Sequence, residues 1–340
     1  MPNSAPTQTP TAHADKHDQT PVSLHVAPLH NWYPSPLSPL MQQAIIPISK
    51  EINLCVEVGG NPNNPPLLLI MGLGSQLIFW PESLIKRLIE AGFYVIRFDN
   101  RDIGLSSKIK RDDLPHINFL GAMLKIQFGI DNSQTQVPYH LTDMADDVAN
   151  LMQALNLRQA HILGASMGGM IAQIFAAKYP HLVHRLALIF STNNRPLLEP
   201  PHPKQLYTLF KRPASYQEED VVNHGKWFIK TVGTPGHINE DLVANLSRLR
   251  YQRCFYPAGT IQQLTAILMT GSIQHYSKAI SAPTLIMHGS KDGLLPPSHG
   301  KAVARDIPNA TFILIKGMAH DLPEYFQPFI VQQLKQHMLS

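Results

Sequence analysis

The sequence predicts an α/β fold: a mostly parallel, doubly wound sheet with an inserted helical cap. Three observations carry that prediction. Short apolar runs alternate with stretches of helical periodicity, the pattern of strands buried on both faces by crossover helices. The run Gly164-Ala165-Ser166-Met167-Gly168-Gly169 joins one apolar run to the next helix through a tight corner of small residues. Between Phe190 and Thr284 the alternation stops over an interval far longer than an ordinary crossover.

Residues 1–40 hold eight prolines and four histidines among many Ser, Thr and Gln, with little periodicity, so a disordered or extended tail is expected. The four histidines are too dispersed to read as a metal tract. The α/β domain then runs from 41 to 338. Ile45–Ile48 and Ile52–Val58 read as strands, the second closing at Gly59-Gly60 before an Asn/Pro turn. Leu67–Ile70 is a short, fully apolar strand. Ser83–Ala91 is helical and stopped by Gly92, and Phe93–Phe98 is the next buried strand.

Thr142–Leu157 is amphipathic, with Met144, Val148, Leu151, Met152 and Leu155 on one face. Asp143, Asp146 and Asp147 suit the positive end of its dipole, and a solvated helix entrance explains them better than a metal site. Strand 160–163, the serine corner, helix 168–179 and strand Leu186–Phe190 follow. Strand Thr284–His288, helix 298–305, strand Thr311–Ile315 and a helix from about 324 complete the domain. The cap occupies about 194–278. Its helical patterns include Leu242/Leu246/Leu249 and Ile261/Leu264/Ile267/Leu268, and its Tyr207, Phe210, Trp227, Phe228, Phe255 and Tyr256 are expected mainly in the cap's own core.

Charge is sparse, 15% of residues with a net +4, and the basic residues form small groups such as Lys110-Arg111, not a stripe. That excludes the electrostatic footprint of a nucleic-acid binder. Cys55 and Cys254 show neither metal spacing nor a disulfide framework, so free or buried thiols are expected. No apolar run approaches the ~20 residues that cross a bilayer. No hydrophobic leader is visible, and Asp15 and Asp18 precede the first arginine, Arg87, so a cytoplasmic protein is expected.

The chemistry concentrates at the serine corner. A strand–Gly-x-Ser-x-Gly–helix turn lifts the Ser166 hydroxyl onto a strained corner backed by a helix N-terminus. A serine hydroxyl needs an adjacent base, usually His held by a carboxylate. In a doubly wound sheet those partners follow later strands. Asp292 lies in His288-Gly289-Ser290-Lys291-Asp292-Gly293, just past one strand, and His320 in Gly317-Met318-Ala319-His320-Asp321, just past another. The loop after Leu186–Phe190 reads Ser191-Thr192-Asn193-Asn194 and offers no acid. His288 and His299 are alternative histidines, read as structural. Asp321, with Pro323 and Glu324 after it, is expected to cap the last helix. An oxyanion needs backbone donors. Met167 follows the nucleophile, and Leu73 sits in Met71-Gly72-Leu73-Gly74, whose glycines permit close approach; a plain glycine turn is the alternative there.

Leu67–Gly74, Phe98-Asp99-Asn100-Arg101-Asp102-Ile103-Gly104-Leu105-Ser106, the Ser166 corner and Gly317–Pro323 together resemble the α/β-hydrolase superfamily, and within it the bacterial serine esterase branch similar to aclacinomycin methylesterase. The resemblance covers about residues 44–338. It implies a hydrolase of carboxylic esters or related acyl compounds working without cofactor or metal through an acyl-enzyme on Ser166, Asp292 and His320. A small-molecule ester or acyl compound is then the expected partner, with no nucleic acid and no membrane span. Arg101 and Asp102 are expected to bond neighbouring loops. Many superfamily members carry His-Gly where Met71-Gly72 stands, which leaves that loop's internal hydrogen bonding open. Peptidase, acyltransferase and carbon–carbon hydrolase chemistry use the same constellation, and a non-catalytic ligand-holding module is the reading from another class.

Overall fold

The computed structural model describes residues 30–110 and 117–340. Residues 1–29 of the expected tail and Arg111 of the Lys110-Arg111 pair lie outside the described residues.

Among the described residues nine strands form one sheet: β1 (Tyr33–Pro34), β2 (Met41–Pro47), β3 (Asn53–Gly59), β4 (Pro66–Ile70), β5 (Tyr94–Phe98), β6 (Ala160–Ala165), β7 (Val183–Ile189), β8 (Thr284–Gly289) and β9 (Thr311–Ile315), in the order β1-β2-β3-β5-β4-β6-β7-β8-β9. β1, β2 and β3 pair antiparallel, and β3 pairs antiparallel with β5. From β5 through β9 every neighbouring pair is parallel. The helices are α1 (Glu82–Glu90), α2 (Phe119–Gln127), α3 (Leu141–Ala154), α4 (Met167–Lys178), α5 (Pro203–Leu206), α6 (Glu218–Val232), α7 (Glu240–Arg253), α8 (Pro257–Thr270), α9 (Gln274–Ala279), α10 (Pro297–Asp306) and α11 (Gln327–Met338).

The strand residues alternate between two cores, as a two-residue side-chain period requires. Leu68, Ile70, Ile96, Ile162 and Leu188 pack with Met144, Val148, Leu151, Ile171 and Phe175 of α3 and α4. Leu67, Leu69, Val95, Leu163 and Ile189 face the other way, onto Leu84, Leu88, Ile330 and Leu334 of α1 and α11. Every residue of α4 from Met167 to Ala176 is buried, which explains its lack of a polar face.

The winding reverses at β4. The chain passes from β4 to β5 on one side, then returns across it to β6 on the other. The loops after β4 and β6 therefore flank the crevice where open α/β sheets bind ligands.

The structure departs from the sequence reading in three places. The packed fold begins before residue 41: Tyr33 and Pro34 pair with Gln43 and Gln42, and the buried Ser35 hydroxyl donates to Glu57 Oε1 at 2.5 Å. α2 was not foreseen. Its Ala122 packs with Leu264, Leu268 and Met269 of α8, so tertiary contact stabilises it. The aromatics of the segment between β7 and β8, expected in a core of their own, do not form one. Tyr207 is 56% exposed and Phe210 38%, and Trp227, Phe228, Phe255 and Tyr256 are all only partly buried. They pair edgewise and tilted in small surface groups, such as Tyr207 with Trp227 and Tyr251 with Phe255.

Candidate active site

The corner after β6 is built by what its glycines leave out. A Cβ on Gly168 would fall 2.0 Å from the Ile70 carbonyl oxygen, so α4 approaches β4 only with glycine there. Ser166 takes φ 54° and ψ −121°, a conformation costly for a residue with a side chain and characteristic of functional turns. Its N–H donates to the Ile189 carbonyl at 3.1 Å, and Ser191 Oγ donates to its carbonyl at 2.8 Å. The strained residue is thus tied on both sides.

Asp292 and His320 come to the same place from the ends of β8 and β9. Oδ1 of Asp292 accepts from the Leu294 and Leu295 N–H groups at 3.0 and 2.9 Å, leaving Oδ2 for His320 Nδ1 at 2.7 Å. That acceptor holds the imidazole proton on Nδ1 and frees Nε2 to accept from Ser166 Oγ at 3.1 Å. Asp292 is 3% exposed. Burial alone pushes its carboxyl up, but the charges and hydrogen bonds of His320 and His288 outweigh burial and hold it well below the usual carboxylate range. Phe190 stacks at a tilt on the His320 ring, centroids 4.7 Å apart.

His288 and His299 serve the surroundings. His288 Nε2 faces the Leu295 carbonyl at 2.8 Å and lies 3.4 Å from Asp292 Oδ2, and His299 bridges Thr192 Oγ1 and the Glu199 carbonyl, both at 2.8 Å. Neither bonds Ser166.

The loop after β4 runs against the nucleophile, since a Cβ on Gly72 would lie 3.1 Å from Ser166 Cβ. Leu73 is next in this loop. Met167 is the first residue of α4, where an N–H has no partner within the helix. The loop's hydrogen bonding, left open by Met71-Gly72, is partly internal, with Ser75 N–H donating to the Gly72 carbonyl and Ser75 Oγ to the Leu73 carbonyl, both at 3.3 Å, and partly supplied from outside. Asn100 Nδ2 donates to the Met71 carbonyl at 3.0 Å, and Gly74 N–H donates to Gln263 Oε1 at 2.9 Å. Neither residue was singled out from the sequence. Asn100 lies in the Asp99–Ser106 segment that carried the resemblance, whereas nothing local marks Gln263.

Two carboxylates depart from expectation. Asp321 does not cap the last helix; the residue preceding the final 3-10 turn is Pro323. Asp321 instead accepts from Thr234 N–H at 3.0 and 3.1 Å and from Thr234 Oγ1, because this distant residue offers two donors together. Thr234 Oγ1 also accepts from Ala319 N–H at 3.0 Å, and His320 N–H donates to the Val232 carbonyl at 3.1 Å, so the end of α6 holds the histidine loop. Asp147 is not on a solvated helix entrance. It is 5% exposed and accepts from Arg101 Nε and Nη2, both at 2.6 Å. Arg101 therefore reaches a helix, while Asp102 bonds its own loop through Ile109 N–H at 2.6 Å.

Cys55 and Cys254 are free, and burial pushes the Cys55 thiol up to about 12. Among the described residues no three His, Cys, Asp or Glu side chains are grouped to hold a metal ion, and no helix is long and apolar enough to cross a membrane.

A rhodomycin D methylesterase of Streptomyces peucetius is 26% identical over 294 residues, covering 80% of this chain and 90% of its own. A poly(3-hydroxyalkanoate) depolymerase of Ectopseudomonas oleovorans is 27% identical over 259 residues, covering 75% of this chain and 78% of its own. Among solved structures, the enol-lactonase of Burkholderia xenovorans LB400 superposes with a TM-score of 0.65 at 18% identity, covering 87% of this chain and 100% of that one, a likeness of fold. The profile of the alpha/beta hydrolase fold family matches residues 65–325. With most of its length under that profile and its sheet wound accordingly, the chain belongs to the α/β-hydrolase fold family.

Proposed function

We propose that this chain is a serine hydrolase that cleaves carboxylic esters through an acyl-enzyme. The observation that carries the reading is the hydrogen-bonded row from Ser166 Oγ through His320 Nε2 and Nδ1 to Asp292 Oδ2, at 3.1 and 2.7 Å. Ser166 Oγ attacks the ester carbonyl carbon while His320 Nε2 takes its proton. Asp292 holds the imidazole and stabilises the imidazolium that forms. The negative charge on the former carbonyl oxygen is met by the N–H groups of Leu73 and Met167. His320 then protonates the departing alcohol, leaving Ser166 acylated. Water, deprotonated by His320, attacks the acyl carbon and releases the acid and free Ser166.

The methylesterase name of the Streptomyces relative supports an ester carbonyl as the electrophile. We read the segment between β7 and β8, about 194–278, as a cap over the catalytic face. Within it, the end of α6 at Val232–Thr234 meets the histidine loop and Gln263 of α8 meets the loop after β4, which supports that reading.

Hydrolysis of p-nitrophenyl esters from acetyl to long acyl, with Ser166→Ala as the blank, tests the proposal. Turnover that disappears in the variant, together with covalent labelling of Ser166 by a fluorophosphonate, is expected. The chain-length optimum then sizes the acyl site. A chain that neither turns over any ester nor takes the label would overturn it in favour of a ligand-holding role.

A further inference from the structure

Gly74 closes the loop that carries Leu73, and its φ of 65° is one that glycine adopts as readily as its mirror image. Left alone, such a residue samples several backbone conformations. Here one is selected. Gly74 N–H donates to Oε1 of Gln263 at 2.9 Å, and Nε2 of the same carboxamide donates to the Arg101 carbonyl at 3.0 Å. Gln263 is 0% exposed, so water does not compete for either bond. Thr260, one turn earlier in α8, lies against the same glycine: a Cβ on Gly74 would fall 2.8 Å from Thr260 Cγ2. The loop is therefore pinned at Met71 by Asn100, from the sheet side, and at Gly74 by Gln263, from the helical insertion. Leu73 lies between the two pins.

We propose that Gln263 is a positioning residue for the reaction: by fixing the Gly74 backbone it aims the Leu73 N–H at the oxyanion. The inference rests on the acyl-enzyme reading above. An oxyanion donor is effective only when it already points where charge will develop, and a misplacement of about 1 Å costs on the order of a hundredfold in rate. The insertion thus contributes to transition-state geometry without touching the substrate.

The test compares Gln263→Met, Gln263→Glu and, as a control in the same helix, Gln262→Ala, whose Nε2 bonds the Ile109 carbonyl instead of the loop. The readouts are kcat and KM on a soluble ester and the rate of Ser166 labelling by a fluorophosphonate. Gln263→Met lowers kcat and the labelling rate about 10- to 100-fold while KM holds, because the lost alignment acts in the transition state. Gln262→Ala keeps the parent kcat. In Gln263→Glu the ionised carboxylate still accepts from Gly74 but cannot donate to the Arg101 carbonyl, whereas the protonated acid does both. Its kcat relative to the parent's at the same pH therefore rises as pH falls.

A folded Gln263→Met with parental kcat overturns the proposal, as does an equal loss in Gln262→Ala. If Gln263→Met does not fold, a pH-independent ratio for Gln263→Glu overturns it. Failure of the parent to label is a different result, since it removes the acyl-enzyme reading itself. A labelled parent with an equally fast Gln263→Met removes only the positioning role.

Discussion

At the carboxyl ends of β4, β6, β8 and β9 the chain arranges its polar groups largely by local backbone geometry, whereas the insertion between β7 and β8 reaches the same loops by a few long-range hydrogen bonds, some from side chains and some from backbone. Ser166 stands where a left-handed φ and the absent Cβ of Gly168 put it. Asp292 is held by two backbone N–H groups of its own turn. The insertion instead meets the loops through the side chains of Gln263 and Thr234, the Val232 carbonyl and the His202 N–H. It is docked further off by Arg253, whose Nη1 lies 2.6 Å from Asp99 Oδ2 and also donates to Gln76 Oε1 at 3.0 Å. Asp99 is itself committed to the main domain, accepting from Leu77 and Leu105 N–H at 2.8 and 2.9 Å. The difference teaches that the sheet side carries its geometry in short-range constraints, while the insertion depends on a few long-range polar struts and leaves its aromatics half in solvent.

The sharpest test of that contrast lies on the sheet side. Asp292→Asn, with its buried hydrogen bond to His320 reversed, is expected to cut ester turnover by about four orders of magnitude while leaving the fold in place. Near-parental turnover would remove Asp292 from the reaction. The same variant has a pH signature. The Asp292 carboxyl is depressed in the fold, so its ionisation stabilises the native state above the unfolded carboxyl's pKa of about 4, and that contribution is lost as pH falls below it. The stability gap between parent and Asp292→Asn, measured by urea unfolding, should narrow as pH drops through that range. A gap that widens contradicts the assigned charge state.

A smaller effect on activity, with a large one on stability, is expected on the insertion side. Arg253→Met strands the fully buried Asp99 carboxylate, and loss of one partner from such a pair costs about 3–5 kcal/mol. Because Arg253 lies away from the reacting atoms, kcat of the folded protein should fall far less than in Asp292→Asn. An equal collapse of kcat would erase the distinction between the two regions. The smallest effect belongs to the insertion's surface. Tyr207 is 56% exposed and packs edgewise on Trp227, so Tyr207→Ala should move the unfolding free energy by no more than about 0.5 kcal/mol. A larger loss, read by the same urea titration, would indicate a packed aromatic core after all.

Residues whose environment follows from local pattern were legible. The apolar runs at Leu67–Ile70 and Thr284–His288 lie within β4 and β8, and His320 lies within hydrogen-bonding distance of both Ser166 and Asp292. Strand ends in a wound sheet converge on one edge, so chain order alone orders those loops. What was not legible depended on partners far away in sequence. Asp321 has the spacing of a helix cap but finds Thr234, and Asp147 sits in an acidic helix start but is claimed by Arg101. α2 exists because α8 covers it. Tyr33 reads as part of a proline-rich tail until β2 is present to pair with it.

By itself the sequence determined the winding of the sheet and the small-residue corner at Ser166, because side-chain period and missing Cβ atoms act on neighbours in the chain. Only the tertiary structure decided how Gln263, Thr234 and Arg253 bind the insertion to the loops, because a buried hydrogen bond is specified by two residues at once, and one of them is distant in sequence.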